Sequence, residues 1–179
     1  MIPTTPPGAE IAPVYVSAQS WQTERPHVLV IACSDGRLRK AVDDFVQNHL
    51  GILDYDRLYA PGGPGALATS GFELLRSNTF RRDCTFLMEA HGVEHVILIF
   101  HGPAPGGLGP EQAACADYRR KLPSKTPDEL STQHETDTRE VVRATFGRYL
   151  DTGRTRLSVY RAEVLADHRV RFVDLGGTQ

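Results

Sequence analysis

With 179 residues, 40% of them hydrophobic, the chain has room for one well-filled α/β domain and little for two. Its 20 basic and 22 acidic residues are intermixed and leave a formal net charge of -2, which gives no electrostatic case for a nucleic-acid partner. The longest apolar run, Val28 to Cys33, is far below the ~20 residues of a membrane-spanning helix. The amino terminus also lacks the basic start and apolar stretch of a secretory signal, so a soluble, cytoplasmic protein with no membrane partner is expected.

Residues 1–20 carry four prolines and no helical period, and are expected to form an extended arm, with a single domain over 21–179. His27-Val-Leu-Val-Ile-Ala-Cys33, ended by Ser34-Asp35-Gly36, is the pattern of a strand buried on both faces of a parallel sheet. A helix is predicted from about Arg39 to His49 and a second strand over Asp56 to Ala60. Pro61-Gly-Gly-Pro-Gly65 then turns the chain into a segment with helical spacing at Leu67, Phe72 and Leu75. Phe80, Cys84, Leu87, Met88 and His91 recur at helical intervals, with Gly92 as a stop; Cys84 and Met88 read as core residues.

The run His95-Val-Ile-Leu-Ile-Phe-His101 predicts a third buried strand that delivers a histidine to its end, followed by a Pro/Gly loop over Gly102 to Gly109. Glu111 to Leu122 is expected as one short helix after Pro110, with Arg119-Arg-Lys121 on a solvated face, and the polar stretch Lys121 to Glu135 as irregular. Thr138 to Leu150 carries Val141, Val142, Thr145, Phe146 and Tyr149 on one side, a helix that Thr136 or Asp137 would cap. Arg156 to Leu165 and Arg169 to Leu175 alternate around Ala166-Asp-His168 and predict a terminal hairpin. The fold class is therefore α/β: a mainly parallel central sheet flanked by helices, with an antiparallel edge hairpin.

In such sheets ligands bind beyond the carboxyl ends of the strands, where Cys33 and His101 both fall. A thiolate and an imidazole suit zinc, and Asp35 and Arg37 follow at alternating positions where an acid and a cation can orient each other. Cys33-Ser-Asp35-Gly-Arg37, followed two strands later by the apolar run ending in His101, resembles the signature of the β-class carbonic anhydrases. Tyr59-Ala-Pro-Gly-Gly63 and Tyr160-Arg-Ala-Glu-Val164 extend the likeness over most of residues 27–175. The resemblance implies that Cys33 and His101 are zinc ligands, that Arg37 draws Asp35 off the metal so that Asp35 can orient the nucleophile, and that the chain hydrates carbon dioxide as a homodimer or larger assembly.

The family's His-x-x-Cys falls on Ala104 here, and a methyl group cannot ligate zinc, so zinc is expected to be weak or absent unless a third donor replaces it. Cys115 reads first as a small buried apolar residue, with recruitment to the metal as the alternative; Asp35 is a second substitute, and His91 or His134 could be recruited by folding. Two other readings stand beside the metalloenzyme. A homologue without catalysis would bind bicarbonate or phosphate through Arg37 and the backbone of Gly62 and Gly63, although a tight strand-to-helix turn needs the same glycines. Alternatively, Cys33 freed of metal would be a reactive thiol.

Overall fold

The apolar run that ends in Cys33 forms β1 (Val28–Cys33), in which Leu29, Val30, Ile31 and Ala32 have no exposed surface. A strand buried on both faces has to sit inside the sheet, and β1 pairs in parallel with β2 (Asp56–Ala60) on one side and β3 (His95–Pro103) on the other. The computed structural model describes residues 15–68 and 73–178. Beyond β3 lie β4 (Arg156–Val164), parallel to it, and β5 (Val170–Thr178), antiparallel to β4, giving the order β2-β1-β3-β4-β5. The mainly parallel sheet with its antiparallel terminal hairpin is as the sequence predicts. Most of the proline-rich stretch read as an arm, residues 1–14, lies outside the described residues, as does Phe72.

Period-two alternation divides the strand side chains between two cores. Leu29, Ile31, Leu98, Phe100 and Leu157 face α2 (Leu74–Ala90), where Cys84 and Met88 are buried as expected. Val30, Ala32, Ile97 and Ile99 face the opposite layer, built in part from α1 (Arg39–Asp44) and the wider π-type turn Phe45–His49 that continues it. Each fully buried aliphatic side chain contributes ~1.5–3 kcal/mol of transfer free energy, so these two faces hold the strand ends in fixed positions. Gly92, at φ +61, follows the end of α2; no helix among the described residues is long and apolar enough to cross a membrane.

Three expectations are corrected. β3 does not stop at His101 but runs on to Pro103, because His101 through Pro103 pair with Ala162 through Val164 of β4. The helix expected over Glu111 to Leu122 is broken into α3 (Pro110–Ala113) and α4 (Ala116–Lys121), with Ala114 and Cys115 extended between them. The stretch expected to be irregular holds most of α5 (Pro127–Val141), whose start is fixed by a reciprocal cap between Thr126 and Glu129 with Pro127 behind it. A π-type turn over Val142–Phe146 carries α5 into α6 (Gly147–Leu150).

Arg119 to Lys121 is only partly a solvated face: Arg119 pairs with Glu111, whereas Arg120 and Lys121 join Arg76, Glu73 and Asp117 in an ion-pair cluster that ties α4 to the start of α2. Across the hairpin, the buried carboxylate of Glu163 is held between Arg161 and Arg171.

Candidate metal centre

Parallel pairing of β1 with β3 brings their carboxyl ends together, and Cys33 and His101 meet there. The break between α3 and α4 adds Cys115. The ligating atoms of these three buried residues all lie within 4.8 Å of one another, and the two sulfurs are 3.9 Å apart. His101 Nδ1 donates to the carbonyl of Ala113 at 3.1 Å; a carbonyl can only accept, so in the neutral ring Nδ1 carries the proton and Nε2 the free lone pair. That Nε2 is buried and has no hydrogen-bond partner among the described residues. An orphaned imidazole nitrogen beside two thiols is the donor chemistry of a zinc-class ion, and a ring N–H fixed by a carbonyl is how a histidine ligand is oriented.

The thiols are electrostatically unlike. A hydrogen bond from Cys115, supported by His101, holds the Cys33 thiol below the ordinary thiol range although burial opposes it. The same pairing, with burial, pushes the Cys115 thiol up. Metal ligation requires thiolate, and Cys33 is already disposed to supply it.

Glycines in the turn after β2 make room for this arrangement. Gly63, at φ +54, lies so close to β1 and β3 that a Cβ would stand 3.0 Å from the Cys33 amide nitrogen and 3.3 Å from the Ile99 carbonyl oxygen. At Gly65 a Cβ would sit 1.9 Å from the Tyr118 hydroxyl. Tyr118 donates to Asp137 at 2.7 Å and stacks on His134 with ring centroids 4.0 Å apart, while His134 Nε2 donates to the Gly62 carbonyl at 2.8 Å. Burial lowers His134 to about 3, so it is a neutral structural ring. The residues expected as an anion cradle, Gly62 and Gly63, are thus buried in packing, and a Cβ on Gly62 would meet the Asp117 carboxylate at 2.8 Å.

Asp35 and Arg37 form a forked pair. Arg37 Nε donates to both carboxylate oxygens at 3.0 and 3.2 Å, Nη2 donates at 2.5 Å, and the Arg37 amide caps the turn at 3.0 Å. This holds the Asp35 carboxyl down at about 2. Arg37 Nη1 donates to the carbonyl of Gln112 at 2.9 Å. Asp35, Arg37 and His101 open onto a cavity of about 320 Å³ whose walls are mainly apolar, Leu108, Val164 and Val170 among them, with His168 of the β4–β5 turn at its edge.

Ala104, where the resembled signature would place its second cysteine, is buried and held by its amide to the Val164 carbonyl at 3.0 Å. It offers no donor atom, and Cys115 is the residue that lies with Cys33 and His101. His91 is not in the group and bonds Asp56 at 2.6 Å. Sequence reasoning gave Cys115 a lesser role because nothing between Pro110 and Leu122 marks the break: neither Ala114 nor Cys115 is a residue that disrupts helices.

No family model and no curated protein sequence matches this chain. Solved structures do. The β-carbonic anhydrase CcaA superposes with a TM-score of 0.52 at 12% identity, covering 86% of this chain and 79% of its own. β-Carbonic anhydrase isoform I from Trichomonas vaginalis gives a TM-score of 0.51 at 11% identity, covering 92% and 90%. The architecture described above is therefore a β-carbonic anhydrase fold.

Proposed function

We propose that this chain is a carbonic anhydrase-like metalloprotein that holds zinc through Cys33 Sγ, Cys115 Sγ and His101 Nε2 and hydrates carbon dioxide to bicarbonate. The observation that carries the reading is the buried Nε2 of His101, without a hydrogen-bond partner among the described residues, in a group with two thiols. Two thiolates and an imidazole make three protein donors, the number found in catalytic rather than structural zinc sites. Bound there, zinc supplies a nucleophile at neutral pH by lowering the pKa of water toward ~7.

The chain's own residues have separable roles. Arg37 keeps Asp35 ionised and turned toward itself, so that Asp35 remains a hydrogen-bond acceptor available to a proton-bearing nucleophile. Ala113 fixes the His101 tautomer through its carbonyl. Apolar walls around the cavity limit competing water and suit an uncharged gas. The small-anion alternative has less support, because each side-chain nitrogen of Arg37 already meets an acceptor.

The test is zinc per chain by elemental analysis in wild type and in Cys33→Ala, His101→Ala and Cys115→Ala, followed by stopped-flow carbon dioxide hydration. Near-stoichiometric zinc lost in all three variants, with hydration in wild type, supports the reading. Wild type that takes up no zinc when supplied with it sinks it.

A further inference from the structure

α4 has six residues, Ala116–Lys121, too few to hold a direction of its own in water. The placement of Cys115 at its start therefore depends on what α4 is fastened to. Tyr118 stands three residues on from Cys115, and residues at that spacing share a helix face. The Tyr118 ring is buried and stacks on His134 with centroids 4.0 Å apart, and its hydroxyl donates to Asp137 at 2.7 Å. Gln133 Nε2 donates to the other oxygen of that carboxylate at 2.9 Å, so the acceptor is itself held within α5. On the opposite side Gly65 leaves the hydroxyl its seat, which a Cβ would overlap.

His134 passes the constraint to the other thiol. Its Nε2 donates to the Gly62 carbonyl at 2.8 Å, and the next residue, Gly63, packs so close to β1 that a Cβ would stand 3.0 Å from the Cys33 amide nitrogen. Cys115 and Cys33 are thus joined through one helical turn, a ring stack, a hydrogen bond and a backbone contact. We infer that Tyr118 and His134 are positioning residues that set the separation of the two thiols: the stacked rings tie α4, and Cys115 with it, to the glycine turn that abuts the end of β1. That this spacing serves a metal rests on the reading above, whereas the placement of Cys115 does not. A ring that only filled the core would be replaceable by an apolar side chain of similar volume. Here the hydroxyl bond is what fixes the ring, so its loss releases Cys115 while the core stays filled.

The test follows Cys115 with Cys84 as its internal control, since Cys84 is buried in the other core. Alkylation by N-ethylmaleimide in the folded, chelator-treated full chain, resolved cysteine by cysteine by mass spectrometry, is compared in wild type, Tyr118→Phe, His134→Gln and Gly65→Ala. The first removes the hydroxyl and keeps the ring, the second keeps a donor for Gly62 and removes the stack, and the third keeps both rings and fills the seat of the hydroxyl. In each, Cys115 should react about tenfold or more faster, the scale of losing a hydrogen bond to a charged acceptor, with Cys84 unchanged. Affinity for cobalt(II), read from sulfur-to-cobalt charge-transfer absorbance, should fall about tenfold or more in the same variants. Tyr118→Phe, which changes volume least, decides the matter should Gly65→Ala not fold. No change at Cys115 in Tyr118→Phe, or equal acceleration at Cys84, overturns the inference; the metal reading then still stands if wild type binds cobalt and Cys115→Ala loses the charge-transfer band. Acceleration at Cys115 alone in a protein that takes up no cobalt supports the positioning and overturns the metal reading, so the two failures are distinguishable.

Discussion

Arg37 donates to the carbonyl of Gln112 at 2.9 Å, and the next carbonyl along the chain, that of Ala113, receives the ring N–H of His101 at 3.1 Å. Two residues further on is Cys115, within the same group. One short stretch of backbone therefore holds the cation of the acid–base pair, sets the tautomer of one candidate ligand and supplies another. Displacing it should disturb all three together. Gln112→Pro, which restricts the backbone conformation of the preceding residue and removes an amide that donates to Gly109, is expected to lower zinc affinity about tenfold or more, the scale of losses from disturbed supporting contacts. Competition with a chelator of known affinity measures it.

With Cys115 proposed as the third donor, Ala104→Cys should not raise the zinc content of wild type. Elemental analysis of the variant checks this, and a clear gain in metal would show that Cys115 is not the third donor.

Gly63→Ala should destabilise the fold and weaken metal binding at once. The added methyl meets the Cys33 amide nitrogen at 3.0 Å in a backbone conformation, φ +54, that disfavours a side chain. The expected loss is ~1–3 kcal/mol from conformation alone, with more from the contact. Urea denaturation and zinc competition, run on the same preparation, separate the two effects.

His168 stands at φ +66 in the hairpin turn. A β-branched residue tolerates that region poorly, so His168→Val should lose ~1–2 kcal/mol, while His168→Asn or Gly should stay within about 1 kcal/mol of wild type. Urea midpoints compare them.

Stability should fall as pH drops below neutrality. Burial lowers His134 to about 3 and His95 to about 4, against an ordinary value of 6.5. Between these values the unfolded chain binds protons that the folded chain does not, so stability rises with pH across the interval and is lost as pH falls through it. Each histidine contributes a slope of at most ~1.4 kcal/mol per pH unit. His134→Gln, which keeps a donor for the Gly62 carbonyl, should flatten the slope between pH 6.5 and 4; urea unfolding at several pH values is the measurement.

The strands were legible because unbroken apolar runs such as Leu29 to Ala32 and Val96 to Phe100 leave no solvated face, and because Gly and Pro bound them. α5 was harder to read since its buried face includes His134, Asp137 and Thr138, polar residues that mask the helical period. The signal was nonetheless present in Thr126-Pro127 followed by Glu129, a start signature that composition alone obscures. Cys33, His101, Asp35 and Arg37 were identifiable as candidates from motif and strand context. The placement of Cys115 was not, because it depends on two residues, Ala114 and Cys115, adopting extended backbone between helices without any local breaker. That conformation is imposed by tertiary packing: Tyr118 is lodged beneath Gly65 and bonded to Asp137.

The interrupted helix has a consequence for how such centres are found. A thiol eleven positions beyond Ala104 stands with the other two donors, so the donor set belongs to a volume of space and not to a fixed interval along the chain. A linear pattern that demands a cysteine three residues after the histidine discards this chain. A search for two sulfurs and an unengaged imidazole nitrogen at the carboxyl ends of adjacent parallel strands retains it, and would gather other sequences whose local backbone has carried a ligand to the same point by a different route.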